Sequence, residues 1–304
     1  MKRLWRRRHA KLRRAWRRMP ANLRGALYIL IASVAFAASG TLVKLAGQTL
    51  PTAVIVFFRS LFGLVAVLPF LLRTGPGVLR TAKPWLHLSR GLIGVCAMAA
   101  GFYSVTHLPL AQASAISYAR PLFVVIIGAV LLKEIVGWRR WAATLTGFGG
   151  VLISIGPELL GFSAGSAFAA LIGLTSAGLV ALVAALVKTM THTERPLTIL
   201  IWFGVISTIA SLGPALWLWQ MPNVWEFLIL IGIGALSAGA QGWAIKAYEV
   251  ADASAVAAFD YSRILFAASF GFLVFAEIPT AWTWAGVGII VASSLILARA
   301  EARR

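Results

Sequence analysis

The chain is poor in the residues that catalysis and metal binding use most. Among 304 residues it has one cysteine, Cys96, and four histidines, His9, His87, His107 and His192. A single thiol excludes an internal disulfide and a cysteine-rich metal site. Histidines this scattered suggest no metal centre, and no cofactor is expected. Acidic residues number 9 against 28 lysines and arginines. P-loop, HExxH and CxxC motifs are absent. The chain therefore carries no ATP engine of its own, and no enzyme is expected.

Long polar stretches are also missing. The composition is 60% hydrophobic with a mean hydropathy of +0.86, which excludes an ordinary soluble globule. The net charge of +19 invites a nucleic-acid reading. The position of the charges opposes it, because residues 1–24 hold 11 of the 28 bases and most others fall in short breaks between apolar runs. No basic soluble domain exists to grip nucleic acid. Residues 1–24 read instead as a basic cytoplasmic tail that attracts anionic lipid. The tail is too basic and too long for a cleaved leader, so the run after it reads as an uncleaved first span.

What the chain does have is apolar runs of spanning length. About 20 residues at 1.5 Å each cross the hydrocarbon core. Ten such runs fit, at about 25–46, 51–72, 84–105, 109–132, 138–156, 163–187, 197–219, 225–246, 253–276 and 280–298. Helices are the expected element, since lipid satisfies no open backbone groups. With both ends on one side, the loops of that side and the two tails hold 23 bases and the opposite loops hold none. That asymmetry places both termini in the cytoplasm of a bacterial inner membrane. The five remaining bases, Lys44, Arg59, Arg90, Arg120 and Arg263, fall inside spans.

The chain also repeats itself. At an offset of 143, Tyr118 falls on Tyr261, Arg120 on Arg263, Leu122 on Leu265, Phe123 on Phe266, Gly128 on Gly271, Glu134 on Glu277 and Ile135 on Ile278. Each half then holds five spans, residues 25–157 and 163–299. An odd number of spans forces the copies to insert in opposite directions. The expected fold is all-α and integral to the membrane, with ten helices in two inverted five-helix repeats.

The residues that carry chemistry follow from depth. Arg120 and Arg263 lie about ten residues, or roughly 15 Å, into their spans. An arginine there costs about 3 kcal/mol on insertion scales and demands a partner or a wet cavity. Guanidinium geometry suits a carboxylate or phosphate; a clamp across the repeat interface is the alternative. Arg59 reads as internal, and Arg90 as shallow enough to reach the cytoplasmic surface. Asp260, the one acid well inside a span, is expected to pair with Arg263 or to carry a proton. Tyr118, Tyr261, Trp202 (which the offset sets opposite Arg59), Gln241 and Trp243 are candidate cavity walls. Glu134 and Glu277, at helix ends, are expected to bind backbone donors or a neighbouring base. Five bases against one acid leave the spanning region positive and favour an anionic or zwitterionic, amino-acid-like ligand.

Several motifs carry a resemblance. They are the His107-Leu-Pro-Leu-Ala111 turn, Arg120-Pro-Leu-Phe123, Leu131-Leu-Lys-Glu134 with the Trp141 that follows, and their echoes in Leu273 to Glu277 and Trp284. Over residues 25–299 the chain resembles the drug/metabolite transporter superfamily, with two EamA-type repeats. Two departures are Ile264 in the place of Pro121, and Lys133 where a small residue is usual. The resemblance implies a secondary transporter of a small metabolite, with spans five and ten at the periphery. It also implies a cavity role for Lys44. A lipid or head-group carrier and a non-transporting scaffold are the other readings. Membrane lipid is an expected partner and a second copy of the chain an open one.

Overall fold

The computed structural model describes residues 19–130, 137–161, 164–190, 193–251 and 259–302. Helices α1 (Ala21–Ala46), α2 (Thr52–Thr74) and α3 (Pro84–His107) are followed by the short α4 (Leu110–Ser117) and α5 (Arg120–Val130). Then come α6 (Trp138–Gly161), α7 (Ala164–Met190), α8 (Pro196–Trp217), α9 (Val224–Val250), α10 (Ser262–Phe275) and α11 (Ala281–Ala302). Among the described residues seven stretches are long and apolar enough to cross a membrane, Leu110–Ile127 among them. Three shorter apolar helices, Thr144–Ser154, Ser262–Phe275 and Ala281–Ser293, complete the all-α plan.

The breaks follow backbone chemistry. Pro84 and Pro196 open α3 and α8, where a missing N–H costs nothing. Asn223 and Glu226 form a reciprocal capping box at the start of α9. Gly75, at φ +86°, closes α2.

The expected fourth span is not one continuous helix. It turns at Tyr118 and Ala119, whose N–H groups bond three residues back to Ala115 and Ile116. Pro121 then sits in the first turn of α5, where it is tolerated. The second repeat turns at the matching Tyr261, where Ile264 N–H bonds the Tyr261 carbonyl, without any proline. The break is therefore a feature of the repeat and not of the proline.

The most extensive helix pairings are unchanged when the halves are exchanged. The first-half helices α1, α2, α3, α5 and α6 correspond to α7, α8, α9, α10 and α11. α1 packs on α9 as α3 packs on α7, and α2 on α9 as α8 on α3. α2 meets α8, and α6 meets α11. The α6–α11 pair packs closely and needs small residues. A Cβ on Gly286 would lie 2.5 Å from the Gly150 carbonyl oxygen and the Ser154 nitrogen, whereas one on Gly288 or Gly149 meets nothing within 4 Å. Backbone cannot yield as a side chain can. Gly286→Ala is expected to cost about 2 kcal/mol by forcing the helices apart, and Gly288→Ala nothing measurable. Melting curves of the two variants in one detergent check this pair.

Candidate functional site

A cavity of about 260 Å³ lies between the halves. Its walls come from α1, α2, α3, α4 and α5 of the first half and from α7, α9 and α10 of the second. Three guanidiniums line it: Arg59 on α2, Arg120 at the start of α5 and Arg263 in the first turn of α10. No acidic residue among the described ones does. Serines supply the other polar groups, among them Ser39 and Ser237, whose hydroxyls meet at 2.9 Å across the halves.

None of the three guanidiniums makes a hydrogen bond or ion pair to a described residue. Arg263 lies with its guanidinium carbon 4.8 Å from the centre of the Phe36 ring, a cation–π contact that holds the charge without neutralising it. Arg120 and Arg263 also stand where a helix begins. The helix dipole puts its positive end there, so a cation is on the unfavourable side of it. This arrangement is poor for stability and well suited to holding an anion.

Asp260 does not pair with Arg263. The acid–base contacts among the described residues are the Lys44–Glu277 ion pair and a 3.8 Å approach of Glu194 to the His87 ring. The turn at Tyr261 falls between them, and they interact electrostatically without forming a contact. That turn also leaves the Asp260 carbonyl without its helical donor. The Tyr118 hydroxyl donates to it at 2.6 Å. Tyr118 and Tyr261 face each other with ring centres 4.9 Å apart, inside the buried cluster that includes Leu122, Ile264 and Ile290. The two helix breaks thus meet behind the cavity wall. Neither tyrosine nor Asp260 lines the cavity.

Lys44 does not line it either. Its ammonium donates to the Leu108 carbonyl and forms an ion pair with Glu277. The second carboxylate oxygen of Glu277 accepts the Leu110 N–H at 2.8 Å, capping α4. Gly271 makes room, since a Cβ there would sit 2.8 Å from that oxygen. One acid of the second half therefore ties α1 to the first turn of α4. Its repeat mate Glu134 lies outside the described residues.

Trp202 donates its indole N–H to the Leu79 carbonyl at 3.2 Å and leaves both cavities. Trp243 is 37% exposed on the bundle surface. Gln241 lines a second cavity of about 330 Å³ between α2, α8 and α9. Arg59 and Ser237 border both cavities. Arg90 does not reach out to the surface as expected; it is 9% exposed and packs 4.1 Å from the Phe203 ring.

The sequence reading missed Glu194. Its carboxylate accepts from the Thr81 hydroxyl at 2.6 Å and lies 3.8 Å from buried His87. It links the α2–α3 and α7–α8 connections, at the opposite end of the bundle from Lys44. The only signal was its place as the one acid beside His192 and Arg195 in a short break.

Residues 161–165 read GFSAG, the spacing of a hydrolase nucleophile elbow. They join α6 to α7, with no strand among the described residues, so the strand–turn–helix setting that motif needs is missing. No group of three metal-binding side chains occurs among the described residues.

The sequence profile described as the EamA-like transporter family matches twice, over residues 23–156 and 167–299. A riboflavin transporter of Rhizobium johnstonii is 33% identical, over 92% of both chains. A pseudopaline exporter of Pseudomonas aeruginosa is 31% identical, over 91% of this chain and 96% of the other. An S-adenosylmethionine uptake transporter of Rickettsia prowazekii is 27% identical, over 91% and 93%. One solved crystal structure superposes with a TM-score of 0.62 at 20% identity, covering 93% of this chain and 98% of that one. That last likeness concerns the fold alone.

Proposed function

Since the chain belongs to the EamA-like transporter family, and is therefore a small-metabolite transporter and not an enzyme, we propose that its cargo presents an anionic group to Arg59, Arg120 and Arg263. The observation that carries this reading is a cavity walled by both halves, with three guanidiniums and no acid among the described residues of its lining. A bundle built only for stability would neutralise such charges. A carboxylate, free or within a zwitterion, supplies the missing counter-charge through bidentate bonds.

Transport then proceeds by rocking one repeat against the other around this site, the general plan of inverted-repeat carriers. The Lys44–Glu277 contact joins the halves at one end and the His87–Glu194 contact joins them at the other. Access from either side requires one of these ends to part. The chain lies in the bacterial inner membrane with both termini in the cytoplasm, a reading supported by the basic residues gathered on one face. Its basic tail attracts anionic lipid. The relatives bear the names of three different cargoes, and both uptake and export appear among them. Cargo identity and direction are therefore not inherited from the fold.

A thermal-shift screen tests the proposal. Ligands that bind the native state stabilise it by mass action. Free carboxylates and amino acids are expected to raise the melting temperature of wild type but not of Arg120→Ala. If only cationic compounds shift wild type, the anion reading is wrong.

A further inference from the structure

The second cavity has a different character from the first. Among the described residues Arg59 is the one charged group on its wall, and Gln241 the one amide. Phe70, Phe203, Leu197 and Ile245 make most of the rest apolar. It is the larger of the two, at about 330 Å³ against about 260 Å³. The two share Arg59 and Ser237, so the apolar space begins where the cationic space ends.

The glycines on its wall divide into two kinds. A Cβ on Gly204 would press on Leu64 at 2.9 Å and one on Gly234 on Phe62 at 2.5 Å, so these two serve close helix packing. Gly63 and Gly242 are different, because a Cβ on either meets nothing within 4 Å. Packing gives no reason for them to lack a side chain. Their effect is to leave volume open. An apolar cavity of this size forfeits dispersion contacts and binds water poorly.

We infer that this cavity takes the uncharged, mostly apolar limb of the cargo while the cargo's carboxylate lies among Arg59, Arg120 and Arg263. The inference rests on the anion reading above and narrows it to amphipathic acids. Arg59 sits at the junction, where the charged head gives way to the apolar limb. Gln241 offers the limb one hydrogen bond. A small acid without such a limb fills only the cationic half and binds weakly.

The test uses the full chain in lipid nanodiscs and three soluble probes: N-acetylglycine, N-acetylphenylalanine and N-acetylphenylalaninamide. Calorimetry is expected to show N-acetylphenylalanine binding about tenfold or more tighter than N-acetylglycine, as burial of a phenyl group allows. The amide, which lacks the charge, is expected not to bind. Gly63→Leu adds a side chain to the wall of the apolar cavity at a position where a Cβ meets nothing within 4 Å. It should remove the advantage of the phenyl group and leave N-acetylglycine unchanged within about twofold. Gly242→Leu, which also meets open space, serves if the first variant does not fold.

Equal binding of the two acids to wild type overturns the inference. So does a phenyl advantage that survives both leucine variants; the cavity then belongs to a lipid chain. Failure of the anion reading looks different. In that case the amide binds as the acid does, and Arg120→Ala weakens neither.

Discussion

Lys44→Met is expected to lower the stability of the fold by about 3 kcal/mol. The side chains of Lys44 and Glu277 are 13% and 18% exposed, so each is largely out of solvent. Removing the ammonium leaves one Glu277 oxygen on the Leu110 N–H and the other oxygen facing apolar surroundings without a counter-ion. It also frees the Leu108 carbonyl, which the ammonium had bonded. The penalty is that of a stranded buried charge and exceeds the net value of the pair itself.

The double variant Lys44→Met/Glu277→Gln separates these terms. Glutamine keeps an oxygen for Leu110 N–H and carries no charge to strand. The double variant is therefore expected to be more stable than Lys44→Met alone, with a coupling of about 1–2 kcal/mol. Melting of wild type, Lys44→Met, Glu277→Gln and the double variant, followed by tryptophan fluorescence in one detergent, closes the cycle. Additive losses would mean that the pair contributes nothing and that both side chains act separately.

The resemblance implies a cavity role for Lys44, and the structure gives it an ion pair instead. Its position near the end of α1 says only that it is at the edge of the apolar layer. Its partner stands 233 residues away, in the other repeat. Local spacing has no access to such a pair. The pattern around Glu277 did show an acid at a helix end, and the reading of it as a cap for a backbone donor or a neighbouring base agrees with its two bonds.

The overall plan was legible because two strong signals agree. Apolar runs fix the helices, and the one-sided distribution of bases supports their count. The self-match at Tyr118 and Tyr261 marked the place where both repeats break. What the sequence hid was the break itself. Treating 109–132 as one helix, and 253–276 as another, makes Asp260 a neighbour of Arg263 on one face. With the turn at Tyr261 between them, the two make no ion pair, though they stay within electrostatic reach.

Trp202 shows a second kind of error. The offset of 143 comes from the fourth and ninth spans and was carried to the second and seventh. Counted from the helix starts Thr52 and Pro196, Arg59 matches Phe203 instead. Phe203 lines the second cavity and stacks on Arg90. A one-residue slip on a helix turns a side chain by about 100°, enough to exchange a cavity wall for a loop anchor.

Removal of a cavity arginine should have the opposite sign to removal of Lys44. Arg59, Arg120 and Arg263 make no ion pair with a described residue, and Asp260 acts on Arg120 and Arg263 only from beyond contact distance. Two of them also stand against a helix dipole. Arg120→Met and Arg59→Met are therefore expected to raise the melting temperature, by an amount equivalent to about 1 kcal/mol once the wetness of the cavity is allowed for. The same variants should lose transport. A hydrogen bond to a charged group contributes about 1.5–3 kcal/mol, so each substitution should slow uptake of an anionic cargo into proteoliposomes by roughly 10- to 150-fold. Arg120→Lys keeps the charge but not the planar fork and should fall between. Arg263 differs from the other two, because its guanidinium packs on Phe36. Arg263→Met gives up that contact and should gain less stability than Arg120→Met. The pairing of gained stability with lost transport is the signature of a residue kept for binding. If instead the arginine variants melt lower and transport normally, the guanidiniums clamp the repeat interface and the cargo binds elsewhere.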